Sequence, residues 1–170
     1  MGKPSVDQEY LPVFDKEKEL RDFTLPRLKE DEGSKIKNGR HIPYTDTKGF
    51  ITIGYGYNLS AKGMSEEEAT NKLEESYQEA LEDVKSLFPK TWGSFSLMEQ
   101  SALVNLTFNM GKGGMSTFKV TLPLLRKGEI EAAVSNFKVS KWSRDVKPSR
   151  TRRVLGLLLN KDYYKEGKKD

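Results

Sequence analysis

The hydrophobic pattern of the first third of the chain predicts short helices. Residues 15–25 have helical composition, and residues 25–32 read as a second, short amphipathic helix that Gly33 ends. Pro26 lies where the two pieces meet. Because proline cannot donate a backbone hydrogen bond inside a helix, we expect it to end the first piece or to begin the second.

A short stretch then changes from helical to alternating spacing. Residues 34–41 are polar and basic and predict a loop. β-branched and aromatic residues gather at 42–44 and again at 50–55, and residues 46–49 between them have the composition of a hairpin turn. The pattern therefore predicts a small β region.

Helical spacing returns after residue 60. Ser65 and Glu68 have the spacing of a capping box, which predicts the start of a long helix that ends at Leu87 or Phe88, before a proline. Further helices are predicted at residues 97–110, 117–127, 129–137 and 148–160. This order of elements predicts an α+β fold.

The predicted organisation is one catalytic domain with four parts. These parts are an N-terminal arm at residues 1–14, first helices and β lobe at 15–64, a connecting helix at 65–88 and a helical lobe at 89–170. A length of 170 residues is ample for one domain with a sizeable core.

Composition narrows the chemistry. The sequence has no cysteine, which excludes Cys-ligated metal sites, and one histidine, His41, which argues against a His-built zinc site or a Ser-His-Asp triad. The longest apolar run, Val154–Leu159, is too short to span a bilayer. Nothing near Met1 has the pattern of a Sec-type signal peptide. We therefore predict neither a metal site nor a transmembrane segment.

Charge is distributed unevenly along the chain. Residues 1–90 carry 14 Lys/Arg against 18 Asp/Glu, a net −4, whereas residues 91–170 carry 15 against 7, a net +8. A basic half suits a polyanionic partner such as nucleic acid, anionic lipid or bacterial cell wall. A solvated basic surface explains the charge equally well.

Two carboxylates and a hydroxyl stand out around the predicted β region. Glu32 ends a helix, where the negative end of the dipole favours the protonated carboxyl, and the neighbouring charge of Asp31 acts in the same direction. Asp46 lies on a turn with backbone N–H donors, and Thr52 follows on a strand. Hydrolysis of a glycosidic bond needs one acid, one ionised carboxylate and a positioned water.

Each of these residues also has an ordinary structural explanation. Asp-Glu-Gly at a helix end is often a solvated terminus, and an aspartate in a hairpin turn usually only makes the turn. Thr52, between two isoleucines, fits the exposed face of a strand. Residue types alone leave both interpretations open.

Four blocks of sequence, in order, resemble the phage-type muramidases, glycoside hydrolase family 24, a group that includes lysozyme-like bacteriocin domains. The blocks are LKEDEG at 28–33, YTDTKGFITIGYGYNL at 44–59, VNLTFNMGKGG at 104–114 and SKWSRDVKPSRTRRV at 140–154. The resemblance covers most of residues 25–160. It implies a lysozyme-like fold, in which a small β-containing lobe and a helical lobe are joined by a long helix, with the cleft between the lobes and no cofactor.

The resemblance also implies roles for particular residues. The catalytic acid falls on Glu32, the second carboxylate on Asp46 and the water-positioning threonine on Thr52. The sugar-groove segment falls on Phe108 and Asn109, at the end of an apolar helix. By spacing, Phe108 suits the core better, and Asn109 is the stronger candidate for a sugar contact.

Three more positions follow from the same blocks. Arg150 matches the arginine that pairs with the acid, and Trp142 matches its aromatic neighbour, although a core anchor is the expected role of the tryptophan. Tyr57 stands where many members of the family place a histidine, and it is predicted to contact substrate. The spacing between Glu32 and Asp46 is longer than is common in the family because of the segment 34–41.

The combined prediction is an inverting lysozyme, or muramidase, that acts as a monomer. It would cleave the β-1,4 bond between N-acetylmuramic acid and N-acetylglucosamine in peptidoglycan and so lyse bacteria. The compartment is left open, since a phage endolysin and a delivered effector or toxin both fit. One alternative is a lysozyme-like module that binds peptidoglycan without cutting it. The other, a nucleic-acid binder using residues 138–153, lacks a recognised motif, so we expect no nucleic-acid partner.

Overall fold

The structure of the chain is a computed structural model that describes residues 13–166. These residues divide into two compact units, one that ends at Glu66 and one that begins at Glu67. Small antiparallel sheets lie in the first unit and helices dominate the second, which confirms the predicted α+β fold. The predicted arm at 1–14 lies outside the described residues, except for Val13 and Phe14, which begin the first helix.

The first helix is continuous where the sequence predicted two. Helix α1 spans Val13–Glu32 with Pro26 inside it. The prediction of a break was wrong because α1 is exposed, so that water can satisfy the carbonyl that proline leaves without a donor. Arg27 supports the turn by donating from Nη1 to the Phe23 carbonyl at 2.6 Å and stacking 3.5 Å over the Phe23 ring. The predicted end at Gly33 is confirmed, with φ of +62°.

A β-hairpin replaces the loop that was predicted at residues 34–41. Strand β1 (Ile36–Lys37) pairs with β2 (Arg40–His41), with Lys37 opposite Arg40. The turn residues Asn38 and Gly39 have φ of +52° and +73°, as a type I′ turn requires. The Asn38-Gly39 pair is typical of such a turn. The hairpin was not predicted because the residues around the pair are polar, which is typical of a loop.

The second sheet has three antiparallel strands. Strands β3 (Tyr44–Thr45), β4 (Ile51–Ile53) and β5 (Tyr57–Asn58) lie in that order. The predicted turn at residues 46–49 connects β3 to β4 and is confirmed. A short helix that the sequence did not predict, α2 (Leu59–Lys62), follows β5 and is capped by the Asn58 side chain, which accepts from the Ala61 N–H at 3.0 Å.

The second unit is helical. Its elements are α3 (Glu66–Leu87), α4 (Leu97–Ser116), α5 (Thr121–Arg126), α6 (Ile130–Lys138), α7 (Lys141–Asp145) and α8 (Pro148–Leu158), with 3-10 turns at Trp92–Ser94 and Tyr163–Glu166. Helix α3 is the predicted long helix; its role as a connector stays a prediction. Helix α4 is interrupted at Gly111, which has φ of +72°, so the predicted end at residue 110 is a real break in the helix. The short helix α7 was missed, and α5 is shorter than predicted.

The hydrophobic core of the described residues lies in the second unit. Its largest fully buried side chains include Phe88, Leu103, Phe137 and Leu158, from four different segments. Trp142 is also buried, which confirms its expected role as a core anchor. Helix α4 begins with a capping box in which Ser96 and Glu99 bond each other's backbone N–H. No helix in the described part of the chain is long and apolar enough to cross a membrane.

Candidate active site

Glu32 is the last residue of α1, and its carboxyl meets the turn between β4 and β5. Its side chain is exposed. A Cβ atom added to Gly56 would lie only 2.5 Å from Glu32 Oε2, so the carboxyl lies directly against the Gly56 backbone. Gly56 has φ of +76°, a conformation that also favours glycine. The backbone conformation favours glycine here, and a Cβ would displace the Glu32 carboxyl from its position.

Asp46 makes the turn between β3 and β4 and is half-buried. Its Oδ1 accepts from the backbone N–H groups of Lys48 at 2.9 Å and Phe50 at 2.8 Å. Its backbone N–H donates to the Phe50 carbonyl at 2.9 Å and extends the β3–β4 ladder. The turn thus fixes the orientation of the carboxyl through Oδ1, and no hydrogen bond to Oδ2 is found among the described residues.

Thr52 is buried, contrary to what its spacing between two isoleucines suggested. The residue is 3% exposed, whereas the neighbouring Ile51 is 50% exposed. The Thr52 hydroxyl donates to the Phe50 carbonyl at 3.3 Å. Thr52 is therefore not on the exposed face of the strand. The polar Thr52 side chain faces inward, and the apolar Ile51 side chain faces outward.

The register of the sheet brings Asp46 and Thr52 to the same face. Tyr44 lies opposite Thr52, and Thr52 lies opposite Asn58. Because side chains alternate along a strand, Tyr44, Asp46, Thr52 and Asn58 share one face. Two of the three predicted catalytic residues are therefore brought together by strand pairing.

Tyr57 lies on the other face of the sheet. It pairs with Ile53, one residue out of phase with Thr52. Its hydroxyl donates to the Gly63 carbonyl at 2.6 Å, and Lys62 Nζ lies 5.4 Å from its ring centroid. The structure gives Tyr57 a partner within the first unit and does not bring it to the face of Asp46 and Thr52.

The second unit holds the remaining predicted site residues in two places. Arg150 Nη2 donates to Asn105 Oδ1 at 3.0 Å. Trp142 Nε1 donates to Asn109 Oδ1 at 2.7 Å. The Trp142 ring therefore bonds Asn109, whereas the sequence comparison had placed it beside Arg150. The predicted pairing of Arg150 with the acid stays a prediction.

A groove of about 770 Å³ lies among α3, α4 and the start of α8. Phe108 and Arg150 both line it, together with Tyr77, Trp92 and Asn105. Phe108 is 43% exposed, so the core placement that its helical spacing favoured is wrong. Apolar rings with a few convergent polar groups are typical of ligand sites.

Three residues that support the site, Gly56, Asn105 and His41, were not predicted from the sequence. Gly56 lies in a Gly-Tyr-Gly sequence, which permits a close backbone approach but does not indicate which side chain makes it. Asn105 was a polar residue within the most apolar helix, and its partner Arg150 is 45 residues away. The hairpin residue His41 packs edge-on against Tyr55, with ring centroids 5.0 Å apart. In the described residues, no group of three or more His, Asp or Glu side chains has the geometry of a metal site.

The sequence model for phage lysozyme matches residues 34–161. The chain belongs to the phage lysozyme family. The matched span includes Asp46, Thr52 and the second-unit residues and begins just after Glu32.

Three curated relatives that this member of the phage lysozyme family matches are distant in sequence. The chain is 27% identical over 159 residues to the pre-baseplate central spike protein Gp5 of Enterobacteria phage T4, covering 78% of this chain and 27% of that protein. It is 24% identical to probable T4-type lysozyme 1 of Dictyostelium discoideum and 27% identical to probable T4-type lysozyme 2. Each of these two matches covers 77% of this chain and 90% of the relative. The chain therefore spans about a quarter of the spike protein and most of the two lysozymes.

Proposed function

We propose that this protein is a lysozyme that hydrolyses the β-1,4 bond between N-acetylmuramic acid and N-acetylglucosamine in peptidoglycan. The observation that carries the proposal is the shared face of Asp46 and the buried Thr52. A carboxyl oriented by two N–H groups, next to a hydroxyl held inside the sheet, suits the positioning of one water molecule. Membership of the phage lysozyme family supports the same assignment.

In this proposal Glu32 protonates the leaving oxygen of the glycosidic bond. Its carboxyl is exposed to solvent and held against a glycine backbone, so a sugar can approach it without a side chain in the way. Asp46 acts as the base that activates water, and Thr52 orients that water. Attack by water on the face opposite the leaving group inverts the anomeric carbon.

The groove in the second unit is proposed to hold sugar rings. Phe108 offers an exposed aromatic surface, and Arg150 and Asn105 offer polar groups in the same groove. Aromatic rings that stack on the apolar side of a ligand, with polar groups at its edge, are a common way to bind small polar molecules. Bacterial lysis would follow from cleavage of the wall polymer.

The decisive experiment compares Glu32→Gln with Asp31→Asn. The two carboxyls are adjacent and exposed, so each substitution removes one charge from the same helix end. We expect Glu32→Gln to lower the rate of clearing of a peptidoglycan suspension by at least about 100-fold, because general acid catalysis contributes about 10² to 10⁴. Asp31→Asn should stay close to wild type. Equal clearing by Glu32→Gln and the wild type would overturn the assignment of the acid.

Product analysis tests the bond and the stereochemistry. After digestion and borohydride reduction, a muramidase yields muramitol at the new reducing ends, whereas a glucosaminidase yields glucosaminitol. Proton NMR of a fresh digest reports which anomer forms first. Muramitol ends and an α-anomer product are expected. A protein that sediments with peptidoglycan but releases no reducing ends would instead be a binding module.

A further inference from the structure

The β1–β2 hairpin carries positive charge without compensating negative charge. Between Gly33 and Thr45 the chain has Lys35, Lys37 and Arg40 but no aspartate or glutamate. All three cations are exposed. None of them has a carboxylate partner among the described residues. Since the function described above assigns the hairpin no role, its charge calls for an explanation.

Lys37 and Arg40 are directly opposite each other across the hairpin. They form the pair that closes the Asn38-Gly39 turn. Side chains in such a pair have Cβ atoms about 4.5–5.5 Å apart, and like charges at that separation destabilise the sheet. The hairpin therefore holds two cations side by side at a cost in its own stability, and an anion between them would remove that cost.

The geometry keeps these two side chains available to a ligand. Ile36 and His41 form the neighbouring pair and so lie on the other face of the hairpin. His41 packs against Tyr55, so that face is directed toward the rest of the first unit. Lys37 and Arg40 consequently point away from it, and the type I′ turn fixes their spacing in advance.

The base of the hairpin is attached to the same corner of the first unit as the catalytic acid. The Ile42 N–H donates to the Lys35 carbonyl at 2.9 Å and closes the hairpin just after Gly33. Tyr55, which His41 contacts, precedes the Gly56 that meets the Glu32 carboxyl. Lys29 Nζ lies 5.2 Å from the Tyr55 ring centroid and ties α1 to this corner. A substrate bound at Glu32 therefore comes close to the base of the hairpin.

We propose that Lys37 and Arg40 bind carboxylates on the peptide stems of the peptidoglycan substrate. The inference rests on the proposed function, because it takes peptidoglycan as the polymer bound at Glu32. Peptide stems of peptidoglycan end in free carboxylates, and a guanidinium beside an ammonium matches a carboxylate well. The proximity of the hairpin base to Glu32 favours an anion carried by the substrate itself over a separate phosphate polymer of the wall.

The test measures binding rather than hydrolysis, so that the two proposals can fail separately. In the Glu32→Gln background, the dissociation constant for purified sacculi free of phosphate polymers is measured by co-sedimentation. The hairpin variant is Lys37→Gln with Arg40→Gln. The matched control is Lys119→Gln with Lys127→Gln, which removes the same charge from exposed positions in the second unit.

We expect the hairpin variant to raise the dissociation constant about 3- to 10-fold and the control to leave it within about 2-fold, as exposed charge-assisted contacts allow. Sacculi whose carboxylates have been amidated should bind the hairpin variant and its parent equally. An unchanged dissociation constant on native sacculi, or a loss that persists after amidation, overturns the inference. A loss that appears only when phosphate polymers are left on the sacculi assigns the hairpin to those polymers and overturns it as well.

A second readout uses the protein without ligand. If the two cations repel each other, their neutralisation should slow hydrogen exchange of the Ile42 amide, which closes the hairpin. Faster exchange in the hairpin variant would show that the Lys37–Arg40 pair stabilises the fold. It would overturn the inference that a bound anion relieves repulsion between the two cations. Failure of wild-type protein to release reducing ends from sacculi would overturn the proposed function without changing either readout.

Discussion

The two units of this protein are stabilised in different ways. In the second unit, side chains from α3 to α8 bury a hydrophobic core that runs from Ala80 to Leu158. In the first unit, Thr52 is the single buried residue among those whose burial is described. The proposed catalytic carboxyls belong to the first unit, whose described residues form no such core. Turn hydrogen bonds, glycine conformations and strand register position them, and these interactions constrain geometry more than they contribute stability.

The largest effect should come from the core of the second unit. Phe137 is fully buried and contacts the rings of Phe118 and Trp142. Phe137→Ala should lower the free energy of unfolding by about 3–5 kcal/mol, through lost burial and the cavity left behind. Urea denaturation followed by circular dichroism measures it.

The control for that substitution lies in the first unit. Leu28 is 47% exposed on α1, and Leu28→Ala should change the free energy of unfolding by less than about 0.5 kcal/mol. A comparable loss in both variants would break the contrast between the units. It would mean that α1 contributes buried surface to the stability of the folded chain.

The next effect separates backbone strain from the position of the acid. Gly56→Ala places a methyl group 2.5 Å from Glu32 Oε2, in a backbone with φ of +76°. We expect a stability loss of about 1–3 kcal/mol and a large loss of peptidoglycan hydrolysis. Gly54 lies in the same turn with φ of +62°, but a Cβ there has open space.

Gly54→Ala is therefore the matched control for the contact between a methyl group at position 56 and the Glu32 carboxyl. It should lose a similar amount of stability and keep most of the hydrolytic activity. Equal activity in the two variants would show that the contact of Gly56 with Glu32 has no catalytic importance. Thermal melts and turbidity clearing, measured on the same samples, distinguish the two outcomes.

Two buried threonines give a smaller effect and a sharper comparison. Thr52→Val removes a hydroxyl with a long 3.3 Å bond in the first unit, and Thr107→Val removes one with a 2.8 Å bond to the Leu103 carbonyl in the second. Each should change stability by about 1 kcal/mol or less, since the partner carbonyls remain in hydrogen-bonded structure. Only Thr52→Val should lower hydrolysis, by about 10-fold or more. Full activity in that variant would remove the proposed role of the hydroxyl.

The smallest expected effect on stability comes from the ion pair between Lys18 and Asp22 on the exposed surface of α1. A hydrogen bond from Lys18, and then its charge, hold the pKa of Asp22 below its ordinary value of 3.8. A lowered folded-state pKa adds stability above the unfolded value, and that stability is lost as the pH falls below about 3.8 through the folded value. Because both side chains are exposed, salt screens the pair.

Asp22→Asn should therefore match the wild type within error at neutral pH in moderate salt. A small deficit should appear at neutral pH and low salt, and it should disappear in acid once Asp22 is protonated in the folded state as well. Melting temperatures at the two pH values and two salt concentrations measure it. A deficit that grew on acidification would contradict the direction of the pKa shift.

Local rules predicted most of the elements correctly, and their two largest errors lie in α1 and the β1–β2 hairpin of the first unit. The long helix α3, the break at Gly111 and the turn after β3 follow from caps, glycine and turn chemistry, which act over a few residues. Pro26 was expected to end a helix and does not, and because α1 is exposed, water can satisfy the carbonyl that lacks its donor. The β1–β2 hairpin was missed although Asn38-Gly39 marked it, because its strands lack the β-branched pattern that usually accompanies such a turn.

The sequence by itself determined the fold class, the family and the residues worth testing. Carboxyls at a helix end and a turn, a threonine on a strand and glycines that allow close approach all depend on neighbours within a few positions. The tertiary structure decided which of these residues meet. It turned Thr52 inward and Ile51 outward, placed Tyr57 on the opposite face, exposed Phe108 and paired Arg150 with Asn105 across 45 residues. Such contacts depend on strand register and helix packing, which bring distant residues together and which no local pattern specifies.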